Sequence, residues 1–344
     1  MTHMEISTAA PAATLLKKRS GLAAVIAAAV VLASAPYASA ATQQASPKPV
    51  VTHVRTLATF DFTAGDALES ITVNPDNSLT VSTLGGRAVA GQRPALLRID
   101  PSGNSTAIVV GQQGNAFTGT TRDRHGTIYY NVVSDDASRV GVWKLPPGGT
   151  PRRIAALPTD GIPNGIALDP AGRTVYVADS TKSTVWTVPA SGGTATAWLT
   201  DPALAPDASF WLGANGLRFH RGAVWVSNTA QGTLLRIPVT ATGAPGRIHT
   251  VTSSLAGVDD FAFLRDDSNV AFAAQNSLNQ VAVVHPGGTT KTVLTVSDGL
   301  ASPTSVAVRG NRLYITDAGF VEPHDSKLQR GTINPRLLNY GKAG

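Results

Sequence analysis

Short apolar runs alternate with polar or small residues along most of the chain, and Gly, Pro, Asn and Asp interrupt them every few positions. A period of two belongs to strands, and the interruptions mark turns. Three features recur in a fixed order. The first is a polar residue, a small residue and then alternating apolar positions. It reads "ESITVNPDN" (69–77), "TGTTRDRHG" (118–126), "NGIALDPAG" (164–172), "NGLRFHRG" (215–222), "DDFAFLRDD" (259–267) and "TSVAVRGN" (304–311), with the second copy degraded to Thr and Arg. The second feature is a strand after a turn, such as "VYVADS" or "VWVSNT". The third is a strand running into a proline turn, such as "VWKLPPGG" or "VAVVHPGG".

The leading polar residues are Glu69, Thr118, Asn164, Asn215, Asp259 and Thr304, at spacings of 49, 46, 51, 44 and 45. A repeat of this length with about four short strands per unit predicts a β-propeller. Six copies predict six blades in an all-β fold. In the last repeat a third strand is expected around "LLNYG" (337–341), and a fourth is missing. "VVTHVRTLATF" (50–60) is a strand without a blade, so it is expected to complete the sixth sheet and close the ring, which removes two exposed sheet edges. Residues 50–344 are then the propeller and 41–49 a linker.

The innermost strand of each blade lines the central channel, so the six leading residues converge there. Four of them offer a carboxylate or carboxamide oxygen, and Asp260 adds another carboxylate. Hard oxygen donors without Cys, and without His at an equivalent position, suit Ca²⁺. Mg²⁺ and Mn²⁺ are alternatives, and Zn²⁺ fits less well. Facing carboxylates repel one another, and a cation relieves that. The competing reading is that each Asn or Asp satisfies backbone groups at a strand start. Thr118 and Thr304 are read as contacts to substrate or water, or as small polar channel residues.

Composition narrows the classes. The 344 residues include no Cys, so neither disulfides nor a cysteine metal site arise. "LLKKRSG" followed by "LAAVIAAAVVLASA" and "ASA" at 38–40 has the layout of a secretory signal peptide over 1–40. The expectation is an exported, secreted monomer with no stable membrane span after cleavage. The formal charge of +6 falls to about +4 without Lys17, Lys18, Arg19 and Glu5. No basic cluster with interleaved aromatics occurs, so nucleic acid is not an expected partner, and a small-molecule substrate is.

The stretches "ALESITV", "IPNGIALDPAGRTVYVADS", "GANGLRFHRGAVWVSNT" and "GVDDFAF" resemble the SMP-30/gluconolactonase/LRE-like group of calcium-dependent six-bladed propellers, relatives of the paraoxonases and bacterial lactonases. The resemblance covers roughly residues 50–320. It implies Glu69, Asn164, Asn215 and Asp259 as metal ligands, with Asp260 as a fifth ligand or the general base. Two departures stand out. Paraoxonases place a pair of histidines near the metal, whereas His125, the second repeat's histidine, stands at a turn. Gluconolactonases carry a sugar-binding Arg and Asn in the second blade, whereas this repeat opens with Thr118 and Gly119. Arg122 either reaches toward substrate or faces a neighbouring blade.

The leading functional expectation is metal-assisted hydrolysis of a lactone or ester, with Asp259 or Asp260 deprotonating water. Neither Gly-x-Ser-x-Gly nor Ser-x-x-Lys is present. Phe210 and Trp211, in "APDASFWLGAN", are placed either as an apolar lip over the channel mouth or as packing between blades. The rivals are a non-hydrolytic pathway enzyme, such as a cyclase or isomerase, and a secreted binding scaffold of the NHL or YVTN type.

Overall fold

The computed structural model describes residues 48–338. The expected signal peptide and residues 41–47 of the linker lie outside the described residues. Strands follow one another as antiparallel neighbours in six four-stranded sheets, the six blades of a propeller. The innermost strands are Leu68–Val73, Ala116–Arg122, Pro163–Leu168, Ala214–His220, Val258–Arg265 and Pro303–Arg309, in blades one to six. The second strands are Leu79–Thr83, Ile128–Val133, Thr174–Asp179, Ala223–Asn228, Ser268–Gln275 and Arg312–Asp317. Among the described residues no helix is long and apolar enough to cross a membrane.

Blade six takes its outer strand from the start of the propeller. Val51–Thr59 pairs antiparallel with Lys327–Ile333, in register from Val51 opposite Ile333 to Thr59 opposite Lys327. The third strand of this blade is Lys327–Ile333, not the expected 337–341, where Pro335–Leu338 is instead a helical turn. The apolar pattern misleads here because Lys327 and Gln329 are buried alongside Leu328, so polar residues occupy inward positions.

The strand period has a particular meaning in this ring, because each sheet is sandwiched between two others. In blade three, Ile166, Val175 and Val177 pack toward blade two, while Ala167, Tyr176 and Ala178 pack toward blade four. Alternate residues therefore serve opposite interfaces, and both faces are apolar. The clusters of buried side chains follow the same rule. Each bridges one pair of neighbouring blades, including blade six with blade one through Ala307, Tyr314, Leu68 and Ile71. Each fully buried aliphatic or aromatic side chain there contributes roughly 1.5–3 kcal/mol.

Candidate functional site

Every one of the six leading polar residues sits at an irregularity of its inner strand. Pro163 faces Asp179 and Ile166 faces Val177, so Asn164 and Gly165 oppose a single partner residue. The same extra residue occurs at Glu69–Ser70, Thr118–Gly119, Asn215–Gly216 and Asp259–Asp260, and a register shift also occurs at Thr304. A β-bulge bends the strand and re-aims a side chain. Here each of the six leading residues but Thr304 comes to line one cavity.

The small residue after it is required by the next blade. A Cβ on Gly119 would lie 2.3 Å from the Asn164 carbonyl oxygen, and one on Gly165 would lie 2.3 Å from that of Asn215. The bulges thus stack directly upon one another around the axis. Hydrogen bonds stitch them together. From matching places in the second strands, Ser82 donates to the Thr118 carbonyl, Asn131 to that of Asn164 and Ser227 to that of Asp259, each at 2.6 Å. Thr118 donates to the Pro163 carbonyl at 2.6 Å, and Thr304 to that of Leu68 at 2.9 Å. These bonds satisfy backbone oxygens that a bulge would otherwise leave unpaired.

Glu69, Thr118, Asn164, Asn215 and Asp259 line one cavity of about 970 Å³. The side chains of Glu69 and Asn164 are buried yet make no hydrogen bond to the described protein residues. Asn215 donates to Thr229 at 2.9 Å and hydrogen-bonds Asp259. Burial pushes the Glu69 carboxyl up to about 8, helped by the charge of Asp260. Burial also raises Asp259 well above the usual carboxylate range, helped by the charges of Glu69 and Asp260 and opposed by the Asn215 hydrogen bond. Two acids crowded with two carboxamides, half of this set lacking a protein partner, form a donor set that fits a hard cation such as Ca²⁺. Among the described residues no three His, Cys, Asp or Glu side chains come together as a metal site, so any such site depends on carboxamide oxygens.

Asp260 faces elsewhere. Its Oδ2 accepts from Arg218 at 2.5 Å and from Ser305 at 2.6 Å, and its Oδ1 accepts from the Phe261 amide at 2.8 Å. It is absent from the cavity wall. Asp260 is thus held as a brace across blades four, five and six, and this environment does not suit a fifth ligand or a base. Thr304 also lies outside the cavity, with its hydroxyl engaged by Leu68 and Thr316. Arg122 is four residues beyond Thr118, about 13 Å along an extended strand. It lines a separate cleft of about 600 Å³ with Asp76, Arg98 and His125, so it is not placed to reach a substrate over the ring. Trp211 does line the main cavity, beside Phe210, with 61% of its surface exposed.

Sequence reasoning passed over Arg218 and Phe320. Arg218 has a detectable signal. It stands three residues after the leading position of its strand, where the other repeats carry Thr72, Thr121, Ala167, Ala262 and Ala307. Phe320 lines the cavity from the loop after the second strand of blade six, and no repeat feature marks it.

Comparison with known proteins agrees with this architecture. The family model described as SMP-30/Gluconolactonase/LRE-like region matches residues 54–208. No curated protein matches in a sequence search. Among solved structures, an auxiliary nutrient binding protein from Bacteroides ovatus is similar at TM-score 0.64 and 12% identity, over 83% of this chain and 78% of that one. A proposed gluconolactonase is similar at TM-score 0.60 and 18% identity, over 83% and 92%. The calcium-binding protein regucalcin from Agrobacterium tumefaciens is similar at TM-score 0.59 and 17% identity, over 82% and 93%. At such identities the structural likeness establishes the fold. The conclusion is that the chain is a six-bladed β-propeller whose residues 54–208 match the SMP-30/gluconolactonase/LRE-like family model.

Proposed function

We propose that the protein is a secreted, calcium-dependent hydrolase of lactones or esters, working at the floor of the large cavity. The observation that carries this reading is the convergence of Glu69, Asn164, Asn215 and Asp259 on one cavity, with the Glu69 and Asn164 side chains making no hydrogen bond among the described residues. These four residues would hold the ion. The calcium-binding neighbour regucalcin supports that choice over Mg²⁺, Mn²⁺ or Zn²⁺. Bound there, Ca²⁺ supplies positive charge to polarise a carbonyl and stabilise the oxyanion.

The chain's own groups do the rest. Asp259 faces the cavity and, once ionised, accepts a proton from water; Asp260, paired with Arg218, braces the neighbouring position of the same strand. The water oxygen bonds the acyl carbon, the acyl carbon–oxygen bond breaks, and the proton passes to the leaving alkoxide. The product of a lactone is then a hydroxy acid. Thr118 remains at the cavity wall as a substrate contact, although its hydroxyl hydrogen is directed to Pro163.

The test is a screen of lactones and aryl esters with added Ca²⁺ or EDTA, using wild type, Glu69→Gln and Asp259→Ala. Turnover is expected with Ca²⁺ and lost in EDTA and in both variants. Calcium at a hundred times its Kd is also expected to stabilise the fold by about 2.7 kcal/mol. An unchanged melting temperature with EDTA, or activity surviving in Asp259→Ala, overturns the reading. Calcium binding without turnover of any lactone or ester replaces it with a non-hydrolytic reaction in the same cavity.

A further inference from the structure

The cavity pairs its polar floor with an apolar mouth, and this carries an inference about substrate. Seven large hydrophobic residues are exposed among the described residues. Phe210, Trp211 and Phe320 line the cavity, and Leu278 and Val321 directly follow the lining residues Ser277 and Phe320. Three of the seven therefore line this one cavity, and an exposed apolar concentration of this kind marks a binding surface. The Phe210 and Trp211 rings lie 6.1 Å apart. Phe320 approaches from blade six. Leu84, Val133, Ile162 and Leu212 add apolar surface to the same cavity.

The charged groups on these walls are already engaged. Arg87 and Asp135 bond each other at 2.6 Å, and Asp160 takes Lys182. Ser209 donates to Asp207 at 2.5 Å. Thr159, Thr181, Asn276 and Ser277 keep polar groups on part of the lining, but a polyhydroxylated substrate lying against Phe210, Trp211 and Phe320 would surrender water there without recovering equivalent hydrogen bonds. An alkyl or aryl group would instead bury apolar surface.

Building on the hydrolase reading above, we propose that the substrate is a lactone or ester bearing a long alkyl or aryl group, which lies between Trp211 and Phe320 while its carbonyl reaches the floor.

The test is a series of δ-lactones with alkyl side chains of increasing length, alongside a sugar lactone, with Ca²⁺ present. The kcat/KM is expected to climb with each methylene up to a plateau, by as much as about fourfold per step, the ratio that ~0.8 kcal/mol per buried methylene gives. Trp211→Ala and Phe320→Ala are expected to flatten that slope, an effect that general loss of folded protein does not produce. Turnover that is independent of chain length, or highest for the sugar lactone, overturns the inference and leaves the hydrolase reading standing. If no lactone turns over, calorimetric titration with the same series reads the mouth directly. A Kd that tightens with chain length in wild type and not in Trp211→Ala then upholds the apolar site while the hydrolase reading falls. A Kd that does not tighten, or no binding of any member, overturns the inference.

Discussion

Gly165 shows how narrowly the ring is specified at a single residue. Its Cα faces the next bulge so closely that an added methyl would meet the Asn215 carbonyl oxygen at 2.3 Å and the Leu217 nitrogen at 2.4 Å. Both are backbone atoms, so neither can swing aside. Gly165→Ala is expected to destabilise the fold by roughly 1–3 kcal/mol through overpacking, read as a lower urea midpoint at an unchanged m-value. An unaltered midpoint would mean the blades separate easily at the axis. Arg218 and Asp260 pose the converse case, a charge pair with only 22% and 10% of the side chains exposed. Arg218→Ala leaves Asp260 buried without its cation, and a loss of about 3 kcal/mol is expected. In a double-mutant cycle with Asp260→Asn, the two losses should fail to add; full additivity would show that the pair is uncoupled.

In blades three to six the loops entering the inner strands are fixed by one recurrent device, the last residue of the second strand. Asp179 accepts from the Ile162 amide at 2.9 Å, Asn228 donates to the Ala203 and Ala205 carbonyls, Gln275 donates to that of Ala256, and Asp317 accepts from the Ala301 amide at 2.8 Å. Asp317 also carries a titration. Burial raises its carboxyl from 3.8 to about 7, against the Ala301 hydrogen bond and the attraction of Lys327. The folded state thus holds this proton where the unfolded chain has released it. Its contribution to stability is fully present below pH 3.8, declines as pH rises toward about 7, and is lost above that. Urea midpoints measured from about pH 4 to pH 7.5 for wild type and Asp317→Asn isolate the effect, since other carboxylates cancel in the difference. Wild type should lose stability relative to the variant over that range, by roughly 4 kcal/mol at most. A pH-independent difference would mean that Asp317 titrates normally in the fold. How much of this was legible differs by element. The polar closing residues are plain in "VYVADS" and "LYITDAG", as is the ring residue that opens each inner strand. The bulges are not, because a bulge is a matter of register against a partner strand, and "NGIALD" reads the same with or without one. Asp260 misled for that reason. It adjoins Asp259 in sequence, yet the bulge sends the two side chains to different places, one to the cavity and one to Arg218 and Ser305.

The ring as a whole depends on closure, because each blade has both faces covered only if its neighbours on both sides are present. The repeat spacing made the number of blades legible, and the unpaired strand at 50–60 made the closing contact legible, while buried Lys327 and Gln329 hid its partner. Val51–Thr59 covers the open edge of Lys327–Ile333. Its side chains also divide between two interfaces, with Val51 and Val54 packing on the cluster between blades five and six, and Leu57 and Ala58 on the cluster between blades six and one. Burial of Val51 contributes roughly 1.5–3 kcal/mol and half-buried Val54 adds a smaller share, a sizeable part of a typical domain's margin of about 5–15 kcal/mol. Deleting residues 50–60 should therefore loosen blades five, six and one together, and should expose a strand edge that pairs readily with other chains. Gel filtration and urea unfolding of the truncated protein check this. Expected are a lower midpoint, self-association, and partial recovery of both when a peptide spanning 50–60 is added in trans. A truncated chain that stays monomeric with the wild-type midpoint would show that five complete blades and a three-stranded sixth hold the ring without the closing strand.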